Sequence, residues 1–265
     1  MGRMRGLLYK ERVTTQGGLL LLAITVIVTV GAAPFLLHHY VSTDTTVASF
    51  SFILSAVWFL LLSYMPLIWL LMSLAMEMKR PDLWLHTPAS SGLLIGTKAL
   101  FAAAVTIATL VWVAVVLGAV FLLSGGAKTL PDGLTAASFA GFFCEIGLLI
   151  LLFSLMQMSV GFLFWSVYQS VRLRSSRLIA VPVTVAGILL FFFISEKISR
   201  TSAGSRLLGA GEIGLPNIEK VSRGLDIGLD MSGSLSMGGF LFGSVIALIA
   251  FGLGTWLFNR KVAGA

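Results

Sequence analysis

The hydrophobic positions of this chain fall into long runs that polar residues scarcely interrupt. The first is Gly17 to Leu37 and the second Val47 to Met76, thirty residues without a charge and with one proline, Pro66, that can kink a helix. The third is Thr97 to Leu123. The fourth, Ala136 to Val167, is broken only by Glu145. The fifth, Leu178 to Ile194, is near the short limit for a span, and the sixth is Met237 to Phe258. Apolar runs of about 18 residues or more read as membrane-spanning helices. In hydrocarbon the backbone must satisfy its own hydrogen bonds, so these runs are expected to be helices. A membrane barrel would need apolar and polar residues in alternation, which the runs lack. The predicted fold class is an all-α integral membrane protein with six transmembrane helices forming one domain over residues 1–265.

Composition agrees with this pattern. Of 265 residues, 57% are hydrophobic and only 11% charged, against about a quarter charged in soluble domains. A soluble fold could not cover so much apolar side chain, whereas lipid solvates it.

The net charge of +7 would suggest nucleic acid in a soluble protein. In a membrane protein it reports topology, because basic residues collect in cytoplasmic loops. Six spans put both termini on one side. That side holds Arg3, Arg5, Lys10, Arg12, Lys79, Arg80, Lys98, Arg172, Arg174, Arg177, Arg260 and Lys261, with Glu11, Glu77 and Asp82 as its acids. The other side holds six basic residues and seven acids. Both termini are therefore expected in the cytoplasm. The connections His38–Thr46 and Ser124–Thr135 are then short outer loops. The longest, 196–236, is glycine-rich with an amphipathic stretch near Pro216 to Leu229, where helix, re-entrant hairpin and irregular loop all remain open.

The N-terminal stretch Met1 to Gln16 mixes Leu7, Leu8 and Tyr9 with Arg3, Arg5, Lys10 and Arg12. It reads either as a short interfacial helix or as a solvated basic tail. Gly31-Ala32-Ala33 loosely resembles a signal-peptide cleavage site, but the long leader, Glu11 and the further spans argue against cleavage.

Catalytic chemistry is missing from the sequence. There is no GxxxxGK[ST] phosphate loop, HExxH or GxSxG, and Gly92 to Lys98 has the wrong spacing for the first. Cys144, the one cysteine, sits in an apolar run and reads as a small packing residue. His38 and His39 point about 100° apart on a helix and make a poor metal pair, so an interfacial role is expected. No metal site, catalytic residue or resident cofactor is predicted. Gly239 and Gly243 form a GxxxG that permits close helix approach.

Glu145 is the one charge deep within a run. Counted from Ala136 it lies about 13 Å along the helix. Intramembrane carboxylates are costly and often mark pathways or relays. Glu145 is thus a candidate intramembrane polar site, to be weighed against a structural hydrogen bond or a position near the outer headgroups.

The second loop is the most informative segment. It runs Glu77-Met78-Lys79-Arg80-Pro81-Asp82-Leu83-Trp84-Leu85-His86-Thr87-Pro88-Ala89-Ser90-Ser91. Pro81 suits a first helical turn, Leu83, Trp84 and Leu85 give a short apolar knob, Pro88 ends the turn, and Ser90 or Ser91 can cap the next helix. Trp84 could simply sit among headgroups. Alternatively the segment is a coupling helix, a stiff apolar anchor for a partner's socket.

These elements resemble the type 2 ABC exporter permeases. The likeness rests on Glu77 at the end of span two, then Leu85, Pro88 and Ser90, and Lys98 at the start of span three. Leu8-Tyr9-Lys10-Glu11-Arg12 is similar to that family's N-terminal cytoplasmic helix, and six spans with a larger fifth connection match over nearly the full length. Trp84 to Pro88 further resembles the branch of peptide-exporting and antibiotic-resistance permeases.

The resemblance implies a multi-pass permease of a bacterial plasma membrane, paired with a second permease chain, identical or related. Separate cytoplasmic ABC ATPase subunits would bind ATP and Mg. The coupling helix in loop 80–92, with Leu83, Trp84, Leu85, His86, Thr87 and Pro88 as contact residues, would pass their motion to the spans. The expected cargo is hydrophobic or amphipathic (a peptide, antibiotic or lipid), because ion pathways need polar linings. The alternative is a self-sufficient secondary transporter that uses Glu145 in ion coupling.

Overall fold

The structure is a computed structural model, and it describes residues 2–40, 47–78, 90–125, 135–224 and 234–261. Among them are six helices long and apolar enough to cross a membrane. Helix α1 (Gly2–Val26) continues through a π-helical turn (Ile27–Ala32) into α2 (Ala33–Tyr40), and together they make the first span. Then follow α3 (Val47–Glu77), α4 (Ser91–Leu123), α5 (Ala136–Arg172) and α6 (Arg177–Ser199). The fifth connection carries α7 (Ser202–Leu208), strand β1 (Glu212–Gly214), α8 (Pro216–Gly224) and strand β2 (Ser234–Ser236), and α9 (Met237–Lys261) completes the bundle.

Most helices are longer than their apolar runs. The stretch to Gln16 is continuous with span one, neither a separate interfacial helix nor a loose tail. Helix α4 opens six residues before Thr97, capped by Ser90, whose hydroxyl accepts from the Leu93 amide at 3.4 Å. Lys98, near the start of the third apolar run, thus lies inside the helix rather than at its end. Helix α6 continues past Ile194 through Glu196 and Lys197, so the fifth connection starts later than the hydropathy pattern indicates.

The π turn has a local cause. Proline has no N–H, so Pro34 cannot bond the carbonyl four residues back. That carbonyl, Val30 O, accepts instead from Ser51 Oγ of α3 at 2.9 Å. The Ala33 amide reaches back five residues to Val28 O. Trp58 Nε1 donates to Thr29 Oγ1 at 2.7 Å, which fixes the irregular turn against α3. By contrast α3 remains helical through Pro66.

Two apolar clusters stack along the bundle. One joins Leu70 and Leu74 of α3, Ile95 and Ala102 of α4, Phe162 of α5 and Phe258 of α9. The other joins Val26 and Val30 of span one with Trp58, Leu62, Leu110, Val113 and Leu117. Helix α5 is central, packed by α3 on one side and α9 on another. Helix α9 comes close at Gly254, where a Cβ would lie 2.9 Å from Phe162 Cδ1. Gly243 of the GxxxG faces Met156 of α5, and Gly239 faces Leu208 and Ser236, so this glycine face is used within the chain. Helix α6 packs against α5, with Phe164 and Phe191 edge to face at 5.8 Å. Its Leu178, Leu189 and Phe192 remain exposed, the surface that lipid would cover.

Candidate functional site

A polar cluster lies where α1, α3 and α4 meet, at the end of the bundle from which the segment 79–89 leaves α3 and returns to α4. Glu11 of α1, Ser73 and Glu77 of α3, and Lys98 of α4 converge there. Lys98 Nζ pairs with Glu11 Oε1, donates to Ser73 Oγ at 2.5 Å and lies 3.2 Å from Glu77 Oε1. The Ser73 hydroxyl donates to Glu11 Oε2 at 2.8 Å, and Lys10 Nζ reaches Glu77 Oε1 at 2.9 Å from the rim. Two lysines and two carboxylates balance to zero formal charge.

Local sequence brings these groups together. Ser73 and Glu77 are four apart and share a helix face. The Ser90 cap sets Lys98 in the second turn of α4, aimed inward with buried Ile95 and Ala102. Lys98 and Glu11 side chains keep only 3% and 9% exposure, whereas Lys10 keeps 54%. The inner pair therefore carries the energetics. Deleting one partner of a buried pair costs roughly 3–5 kcal/mol, because the other charge is left uncompensated.

In the sequence Glu11 stands out only as one of three acids on the basic side and as part of the Leu8 to Arg12 stretch, and nothing marks Ser73. The usable signal is the Ser90 cap, which places Lys98 inside α4. The residues expected to couple, Leu83, Trp84, Leu85, His86, Thr87 and Pro88, lie outside the described residues. What is described is their two anchorages, the end of α3 at Glu77 and the cap of α4 at Ser90, and the ionic cluster ties the first of these to the early turns of α4 and to α1.

Glu145 occupies a second polar site near the opposite end of α5. Its Oε1 accepts from Asn217 Nδ2 at 2.6 Å and from the Asn217 amide at 3.3 Å, and its Oε2 accepts from the Ile218 amide at 3.0 Å. These amides belong to the first turn of α8, where backbone N–H groups have no partner within the helix. A carboxylate suits that end of the helix dipole as well. Pro216 opens α8 without needing an acceptor. Ile218 and Val221 bury against Phe139 and Phe142 of α5. Gly141 permits the contact, since a Cβ there would sit 2.5 Å from the Asn217 carboxamide. Within the amphipathic stretch, Pro216–Gly224 is a helix docked on α5 with Glu145 as its N-terminal acceptor, and residues 225–229 lie outside the described residues.

The remaining candidates separate. Cys144 is exposed rather than packed. It faces an apolar groove of about 320 Å³ between α3, α4 and α5, bounded by Phe59, Leu110, Phe143 and Leu151 among others. His39 stacks edge to face on Tyr40 at 4.8 Å, and His86 lies outside the described residues. Among the described residues no group of three or more His, Cys, Asp or Glu side chains is placed to hold a metal. Comparison of the chain with protein-family models, with curated proteins and with solved structures found no match.

Proposed function

We propose that this chain is the membrane-spanning permease of an ABC exporter, moved by a separate cytoplasmic ATPase that grips residues 83–88. One observation supports this reading above the rest. The ionic cluster of Glu11, Ser73, Glu77 and Lys98 binds three spans together beside the two roots of the 79–89 segment. A load applied to that segment would reach α1, α3 and α4 as a unit. An apolar knob containing Leu83, Trp84 and Leu85 is the kind of short anchor a partner's socket can hold. The cargo is a hydrophobic or amphipathic molecule, consistent with the apolar groove beside Cys144. Two permease chains and two ATPase subunits, which hold ATP and Mg, complete the transporter in a bacterial plasma membrane.

The ion-coupled alternative draws less support. Both oxygens of Glu145 are engaged by the first turn of α8, which gives this carboxylate a structural task. The test is photo-crosslinking from position 84 in the intact cell, followed by assay of the captured complex. A crosslinked nucleotide-hydrolysing subunit is expected, together with lost docking or ATP use uncoupled from export in Trp84→Ala and Pro88→Gly. Normal assembly and normal export in both variants would remove the coupling role.

A further inference from the structure

The ionic cluster consumes Glu11 and Glu77. The basic residues on the other side of the same end have no such partners. The α5–α6 turn carries Arg172, Arg174 and Arg177, and α9 ends near Arg260. The chain has no acid between Ser166 and Ala180, and none from Ala250 to its last residue. Ion pairs among the described residues join Lys10, Lys98 and Arg200 to acids and reach none of these four arginines. Arg260 lies over the Trp256 ring at 5.4 Å. The opposite end of α6 is different, because there Arg200 pairs with its own helix's Glu196 at 2.5 Å.

A groove of about 300 Å³ opens within this cationic surface. Ser170, Val171, Arg174 and Ser175 line it from α5 and the turn, and Leu257 lines it from α9. Val171 and Leu257 contribute apolar side chains to the lining, and Arg174 and Ser175 contribute donors. Ser170 Oγ already donates to Ser166 O at 2.8 Å, but the Ser175 hydroxyl has no partner among the described residues. Arg177 opens α6, where the helix dipole disfavours a cation, and a neighbouring anion relieves that repulsion.

We propose that this groove is a binding site for an anionic phospholipid, with the headgroup phosphate between Arg174 and Ser175 and the chain stem against Val171 and Leu257. Guanidinium binds phosphate through paired N–H donors. Basic pockets between spans on the cytoplasmic side are a known seat for acidic headgroups. A lipid fits better than a free anion because Val171 and Leu257 make part of the lining apolar and the groove opens at the end of the spans. Charge complementarity supplies the attraction, since Arg174 lines the groove and the flanking sequence holds no acid between Ser166 and Ala180 or from Ala250 onward. This inference is independent of the exporter reading.

Native mass spectrometry of the intact chain, presented with phosphatidylglycerol or phosphatidylcholine of the same acyl chains, tests it. Selective retention of phosphatidylglycerol is expected. Combining Arg174→Gln with Arg177→Gln weakens that retention about 25-fold, at roughly 1 kcal/mol per basic side chain near a membrane surface. Combining Arg3→Gln with Arg5→Gln removes the same charge elsewhere and leaves retention unchanged. Leu257→Trp fills the groove without altering charge and also abolishes selectivity, which keeps the test open if the arginine variant fails to fold. Inorganic phosphate does not compete. Equal retention of the two lipids, unchanged retention in Leu257→Trp, equal loss in both arginine pairs, or displacement by inorganic phosphate would each overturn the proposal.

Discussion

Two carboxylates, Glu11 and Glu145, stand in polar sites of the bundle and are satisfied by different means. Glu11 faces a buried ammonium, Lys98, and shares it with Glu77 and the Ser73 hydroxyl. Glu145 faces backbone amides and one carboxamide at the first turn of α8. The first arrangement joins three long spans, each held by further packing in the apolar clusters. The second holds a nine-residue helix whose other anchors are Ile218 and Val221. A buried ion pair fixes its members strongly because either charge alone is intolerable in an apolar medium. Amide donors at a helix end are neutral, and losing their acceptor costs less. The cluster end is therefore expected to be the more firmly held, and α8 the element released more easily.

The contrast can be broken most sharply at Lys98. Lys98→Met is expected to destabilise the chain by about 3–5 kcal/mol, read as a lowered midpoint in denaturant unfolding from micelles. Adding Glu11→Gln should recover most of that loss, since the uncompensated charge is then gone. Full loss in the double variant would show that the pair is not the source. Glu145→Ala comes next, at about 1–3 kcal/mol for the orphaned donors. Its signature is local: hydrogen exchange should quicken at the amides of Asn217 and Ile218 while α3 and α4 stay protected. Equal loosening of the long spans would erase the distinction between the two ends. Lys10→Gln is the mildest, expected to cost less than about 1 kcal/mol because the exposed rim ion pair is screened by solvent. A cost near that of Lys98→Met would move the energetic centre of the cluster to its rim.

Much of the architecture was legible in the sequence because membrane insertion reads local composition. Apolar runs long enough to cross hydrocarbon mark their own positions, and all six correspond to long helices. The ends were less legible. The first apolar run begins at Gly17, but its helix extends back past Glu11, whose charge finds a partner in Lys98. Glu145 was conspicuous as the one charge inside a run, yet its acceptor role depends on α8, 72 residues away in the chain. For Cys144 an apolar neighbourhood suggested packing, but the orientation of α5 turns it outward to a groove. Ser73 carried no signal of its own, being one of several serines in apolar helices.

The sequence by itself determined the number of spans, their approximate places and the uneven distribution of basic residues, because transfer of side chains into hydrocarbon is a sum over neighbours in the chain. Only the tertiary structure decided which charges meet. Lys98 and Glu11 are 87 residues apart, and their attraction acts over a few ångströms once the helices have packed. No local sum over residues contains that distance.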